Sequence, residues 1–179
     1  RVAAASLPRP SEGAARIRLL GELSQDIVRR SLQVVYQPKI DLSTGHISGV
    51  EALLRWPHPH LGTLHPDTFL PLVRQHGPMR PVTDLVIAQS LDDVACWSRR
   101  GIRLPVAINL FAPSLRDTTL PDTLCAALQQ RGLTPDLLTV EITEDLVLSE
   151  VSTVTTVLHR LRQLGIRIAI DDFGSGYSA

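Results

Sequence analysis

Four polar residues occupy equivalent places in four apolar runs: Glu51 in "VEALLRW", Asn109 in "VAINL", Glu141 in "LTVEIT" and Asp171 in "IRIAIDD". Side chains of a strand alternate between its two faces. In each run the polar residue opposes the bulky ones: Val50, Ala52, Leu54 and Trp56 against Glu51, Val106, Ile108 and Leu110 against Asn109, Leu138, Val140 and Ile142 against Glu141, and Ile166, Ile168 and Ile170 against Asp171. Three carboxylates and an amide gathered in one place repel one another and drift toward protonation unless a cation compensates them. All-oxygen donors favour hard ions, so Mg²⁺ or Mn²⁺ suits them better than zinc. The chemistry expected of such a site is metal-assisted attack on a phosphoester. A single Asp or Glu at a strand end is usually a solvated cap or half of a surface ion pair. Four on matched parity, with Asn109, Glu141 and Asp171 separated by about thirty residues at each step, favour a shared site.

The elements that must carry these residues follow from periodicity. Val, Ile and Thr content and flanking Gly, Pro and Asp predict strands over 32–40, 47–56, 104–112, 137–145 and 166–174. Helical spacing predicts helices over 21–32, 67–77, 81–101, 120–132 and 149–165. Gly101, Gly132 and Gly165 close three of them, where a left-handed residue reverses the chain. From the third strand onward the order strand, helix, strand, helix, strand implies parallel pairing through right-handed crossovers. Helices need the bulky face, so the polar face must line an enclosed interior. The fold class is therefore α/β, a TIM-like (β/α) barrel with its functional residues at the C-terminal ends of the strands.

A full eightfold barrel takes roughly 250 residues, and five strands are found in 179. The chain also opens on Arg1 and runs through "RVAAASLPRPSEGAARI" without clear periodicity. The expectation is an incomplete, C-terminally truncated barrel. Residues 1–15 would be a linker or the tail of an upstream domain, and residues 16–179 the N-terminal part of the barrel. Such a piece alone would expose an open strand edge, associate through it and lack activity.

Composition is that of an ordinary globular domain: 44% hydrophobic, 20% charged, with 18 basic residues against 18 acidic. That balance gives no general pull toward a nucleic-acid polymer or an anionic membrane, so an anionic ligand must be held by a local site. No apolar run approaches the roughly 18 residues of a membrane span, and no signal peptide opens the chain. Cys96 and Cys125 lie in helical patterns without thiol or histidine partners at metal spacing, and read as small buried hydrophobes. This usage suits a reducing cytoplasm.

"VVYQPKIDLSTGHISGV", "EALLRW", "HPHLGTLHPDTFLPL", "INL", "VEITE" and "DDFGSGYSA", in that order, resemble the EAL family of cyclic di-GMP phosphodiesterases from about residue 20 to the end. The resemblance implies that Glu51, Asn109, Glu141 and Asp171 are metal ligands. Asp172 would serve a second metal, and Gln37 and Arg55 would contact substrate. It implies Mg²⁺ or Mn²⁺ as cofactor and cyclic di-GMP as ligand, hydrolysed to linear 5′-pGpG in bacterial signalling. A homodimer, an upstream sensor or GGDEF domain, and a cytoplasm-facing position are implied as well. The family's catalytic lysine and later glutamates would lie beyond Ala179, so the catalytic residues themselves are unknown from this chain. Two positions depart from the family pattern: Val73 and Arg74 follow "FLPL", and Phe111 stands after "NL" where the family usually has Ser.

A catalytically silent domain that binds the same nucleotide or docks a partner is the alternative, although degenerate members usually lose ligands that this chain keeps. "DFG" at 172–174 lacks the glycine-rich loop, strand lysine and "HRD" of a kinase. His58, His60 and His65 read as loop chemistry rather than a zinc set, and "GSG" at 174–176 as a turn rather than an anion nest.

Overall fold

The computed structural model describes residues 12–76, 79–143 and 152–171. Helix α1 (Glu12–Val28) leads into a hairpin of β1 (Gln33–Ile40) and β2 (Ile47–His58), followed by the short strand β3 (Gly62–Leu64) and helices α2 (Pro66–His76) and α3 (Met79–Arg99). Strand β4 (Val106–Asn109), helices α4 (Ala112–Leu115) and α5 (Leu120–Gln130), strand β5 (Leu138–Thr143), helix α6 (Ser152–Gln163) and strand β6 (Arg167–Asp171) complete the order. The main sheet runs β1-β2-β4-β5-β6, with β3 attached to the end of β2.

β1 and β2 pair antiparallel, Gln33 opposite Arg55 through Lys39 opposite Gly49, and the register shifts after Lys39. The turn between them is set by Asp41, whose Oδ1 accepts from both the backbone N–H and the hydroxyl of Ser43, and by Gly45 at φ 70°. Along β2-β4-β5-β6 each pair is parallel, as the alternation of strands and helices requires, while β3 pairs with β2 antiparallel. β2 and β4 approach closely at Gly49: Val50 donates its N–H to the carbonyl of Pro105 at 2.9 Å, and a Cβ on Gly49 would lie 3.0 Å from that oxygen. Among the described residues this sheet is open rather than closed.

Alternation places the core as expected. Val50, Ala52, Val106, Ile108, Val140 and Ile142 pack against the helices on one side of the sheet, with Leu91, Val94, Leu124, Leu128, Val157 and Leu161 facing them. A second cluster joins Leu54 and Trp56 to Leu23 of α1, Phe69 and Val73 of α2 and Val82 of α3. Glu51, Leu53 and Arg55 on the opposite face of β2 are half-buried.

Several boundaries differ from expectation. α1 starts at Glu12, earlier than residue 21 and across the junction expected near residue 15. Its anchors are side chains distant in sequence: Trp56 Nε1 donates to Asp26 at 2.9 Å and His58 Nε2 meets Glu22 at 2.9 Å. β3 arises in the loop after β2, where "GTL" pairs back onto Trp56–His58. Cys96 and Cys125 are free thiols but half-buried rather than enclosed. No described helix is long and apolar enough to cross a membrane.

Candidate active site

Strand register fixes where the polar residues stand. Glu51 pairs with Ala107 across β2 and β4, Asn109 pairs with Glu141 across β4 and β5, and Thr143 pairs with Asp171 across β5 and β6. The row thus climbs two residues from Glu51 to Asn109, stays level to Glu141 and climbs two more to Asp171. That stagger is what a sheet curling toward a barrel imposes on its strands. Asn109 Nδ2 donates to Glu51 Oε1 at 2.9 Å.

On β1, Gln37 stands directly opposite Glu51 and is exposed. Two residues on, Lys39 puts its Nζ on Glu141 Oε1. Glu141 is only 5% exposed, and its Oε2 is buried without a hydrogen-bond partner among the described residues. Burial raises the pKa of this carboxyl, the Lys39 ammonium pulls it down, and the charges of Glu51 and Asp171 push it up again. Burial is the largest of these effects.

Arg55 projects from the Glu51 face of β2, and its Nη1 donates to the Leu54 carbonyl at 2.8 Å. It lines a cleft shared with Asn109, Thr143, Asp171, Arg74 and Phe111. Asp172 lies outside the described residues.

Among the described residues no three His, Cys, Asp or Glu side chains converge as a closed metal cage. The sheet brings Glu51, Asn109 and Glu141 together, whereas Glu51 and Glu141 each have one oxygen engaged, by Asn109 and by Lys39. The donors still fit a hard divalent cation: they are oxygens, they share one face, and Glu141 offers a buried oxygen with no other use. A cation there would offset the burial, and the neighbouring charges of Glu51 and Asp171, that together raise the Glu141 pKa.

Lys39 was not singled out by motif or spacing, although its odd parity with Gln37 and Val35 in "VVYQPKI" marks it as inward-facing. His58, expected in a loop, instead closes β2 and is buried against α1. His58 Nδ1 accepts from the N–H groups of His60 and Leu61, so Nε2 carries the proton and donates it to Glu22.

Residues 20–179 match the family model described as EAL domain. "Cyclic di-GMP phosphodiesterase PA2567" of Pseudomonas aeruginosa is 42% identical over 161 residues, covering 89% of this chain and 27% of the relative. "Cyclic di-GMP phosphodiesterase NbdA" of the same organism is 38% identical over 88% of this chain and 20% of its own length. Among solved structures, "PaMucR Phosphodiesterase, c-di-GMP complex" superposes with a TM-score of 0.84 at 36% identity, over 90% of this chain and 66% of that one. This chain therefore spans about a quarter or less of the curated relatives' length.

Proposed function

The chain belongs to the EAL domain family, and from that membership we propose that the whole protein hydrolyses cyclic di-GMP to linear 5′-pGpG in bacterial second-messenger signalling. The observation that carries this reading is the row of Glu51, Asn109 and Glu141 on one sheet face, with a buried Glu141 oxygen that has no hydrogen-bond partner among the described residues.

In this reading Glu51, Asn109, Glu141 and Asp171 hold Mg²⁺ or Mn²⁺, and Asp172 serves a second ion. When bound, the cation supplies the Lewis acidity that makes water a nucleophile near neutral pH. Asn109 keeps Glu51 oriented through its amide N–H. Arg55 offers a guanidinium to a phosphate oxygen, and Gln37, opposite Glu51, reaches the same substrate from β1. Water attacks phosphorus, the bond to the ribose 3′-oxygen breaks, and that oxygen leaves with a proton. One phosphodiester is opened and the product keeps a 5′-phosphate. Lys39 must leave Glu141, or share it, when the cation enters.

The names of two relatives bear on the wider setting. One is described as an "Oxygen sensor protein" and another as a "Bifunctional diguanylate cyclase/cyclic di-GMP phosphodiesterase". We infer an upstream sensor or GGDEF domain joined through residues 1–15, a barrel domain over 16–179 and beyond, a homodimer, and a cytoplasm-facing site. The test is to incubate the whole protein with cyclic di-GMP and Mn²⁺ or Mg²⁺ and to resolve products by liquid chromatography. Metal-dependent appearance of pGpG supports the reading. Tight nucleotide binding without product would favour a silent binding domain instead.

A further inference from the structure

Arg74 of α2 sits over Phe111, with its guanidinium carbon 4.5 Å from the ring centroid. Both residues line the cleft that holds Arg55, Asn109 and Asp171. We propose that this cation–ring pair is a platform for one purine base of the substrate, an inference that rests on the phosphodiesterase reading and adds a base subsite to it.

Three observations support the platform. First, Arg74 has no carboxylate or hydrogen-bond partner among the described residues. Arg80, Arg103 and Arg131, by contrast, each meet an aspartate within 2.7 Å. A cation left unpaired beside a cleft is available to a ligand. Second, Phe111 is fixed. It follows β4 by two residues, takes an extended conformation at φ −97° and ψ 157° ahead of α4, and packs against the cluster around Trp56 and Phe69. One ring face carries Arg74, so the aromatic orients the guanidinium instead of burying itself fully. Third, Phe111 stands two residues after Asn109. A phosphate held near Asn109 and Arg55 therefore has the pair within reach of the nucleoside attached to it.

A guanidinium plane has two faces. Held over Phe111, the guanidinium can take a nucleobase on an open face, since aromatic bases stack on arginine planes and gain from the cation. Lysine, a compact point charge, cannot replace that plane. A phosphate contact by Arg74 would need only its charge, which gives the two roles different signatures.

The experiment uses the whole protein with Mn²⁺ and a cyclic dinucleotide whose 3′-oxygens are replaced by methylene, so that no scissile P–O3′ bond exists. One guanine is replaced by 2-aminopurine, whose fluorescence is quenched by stacking. Quenching on binding is expected for the native protein. Arg74→Ala and Phe111→Ser should each weaken binding roughly tenfold and abolish most of the quenching, and the double variant should be little worse than either, because the two act as a unit. Arg74→Lys should also lose the quenching, while Phe111→Tyr keeps the packing and retains it. Binding within twofold of native in both single variants would overturn the platform. So would full quenching by Arg74→Lys, which would make Arg74 a phosphate contact only. A native protein that hydrolyses cyclic di-GMP with unaffected variants sinks the platform alone. One that neither binds nor hydrolyses it sinks both readings.

Discussion

The Lys39 ammonium rests on the Glu141 carboxylate although their strands are not neighbours. β2 and β4 lie between β1 and β5, and three strand spacings in a flat sheet amount to roughly 14 Å, farther than a lysine and a glutamate bridge together. The contact exists because the sheet curls, and it curls toward the face that bears Glu51 and Asn109. One ion pair thus reports both the barrel-like curvature and the electrostatic problem at its centre: a buried carboxylate in need of a cation.

Lys39→Met tests that relationship. Without metal, Glu141 would lose its one cationic partner among the described residues, and the protein should be destabilised by about 1–3 kcal/mol, the range for a buried polar group left unsatisfied. With Mn²⁺ the variant should recover more than the native protein gains, because no ammonium has to move aside. Thermal unfolding of both proteins with and without Mn²⁺ measures this. Equal metal-induced shifts would mean that Lys39 does not compete for the site.

A pH dependence is expected from Tyr36. Its hydroxyl donates to Asp93 Oδ2 at 2.6 Å, its ring meets Trp97 edge-on at 4.9 Å, and burial, with Asp93 beside it, raises its pKa well above the ordinary phenol value. The folded pKa exceeds the unfolded one, near 10. The stabilisation is therefore fully present below pH 10 and is lost as pH rises toward the folded value. Stability should fall on that alkaline limb, and Tyr36→Phe should flatten it. An unchanged slope in the variant would contradict the assignment.

Arg55→Ala separates phosphate binding from metal binding. The guanidinium donates to the Leu54 carbonyl and to no carboxylate among the described residues, so its loss should leave Mn²⁺ affinity within about twofold while weakening nucleotide affinity or turnover by ten- to a hundredfold, as for a charge-assisted phosphate contact. Calorimetry with metal alone and then with nucleotide distinguishes these. Loss of Mn²⁺ binding would place Arg55 in the wrong role.

Strand parity made much of this site legible in the sequence. Glu51, Asn109 and Glu141 lie on the face opposite Val50, Ile108 and Val140 because a strand packed on helices must put its bulky residues on that side. The same alternation weakens at the sheet edge, where Ile170 is 45% exposed in spite of its parity with buried Ile166. Local pattern carries no information about partners distant in the chain. Lys39 and Glu141 are separated by 102 residues, and nothing near either one names the other. Likewise Arg74 and Phe111 were visible only as departures from a family pattern, since their contact depends on how α2 lies against the turn after β4. The early start of α1 escaped notice for a related reason: its anchors, Trp56 and His58, come from β2.

The most direct measurement is turnover of cyclic di-GMP by the whole protein and its Glu51→Ala variant, with Mn²⁺ binding followed by electron paramagnetic resonance and folding by thermal denaturation. Glu51 is half-buried on the inner face and contributes its Oε1 to Asn109 rather than to core packing. Native protein should form pGpG in a Mn²⁺-dependent manner. The variant should lose at least a thousandfold in turnover, bind Mn²⁺ more weakly and unfold near the native temperature. Near-native turnover and Mn²⁺ binding in a folded Glu51→Ala protein would contradict the metal assignment and the account built on it.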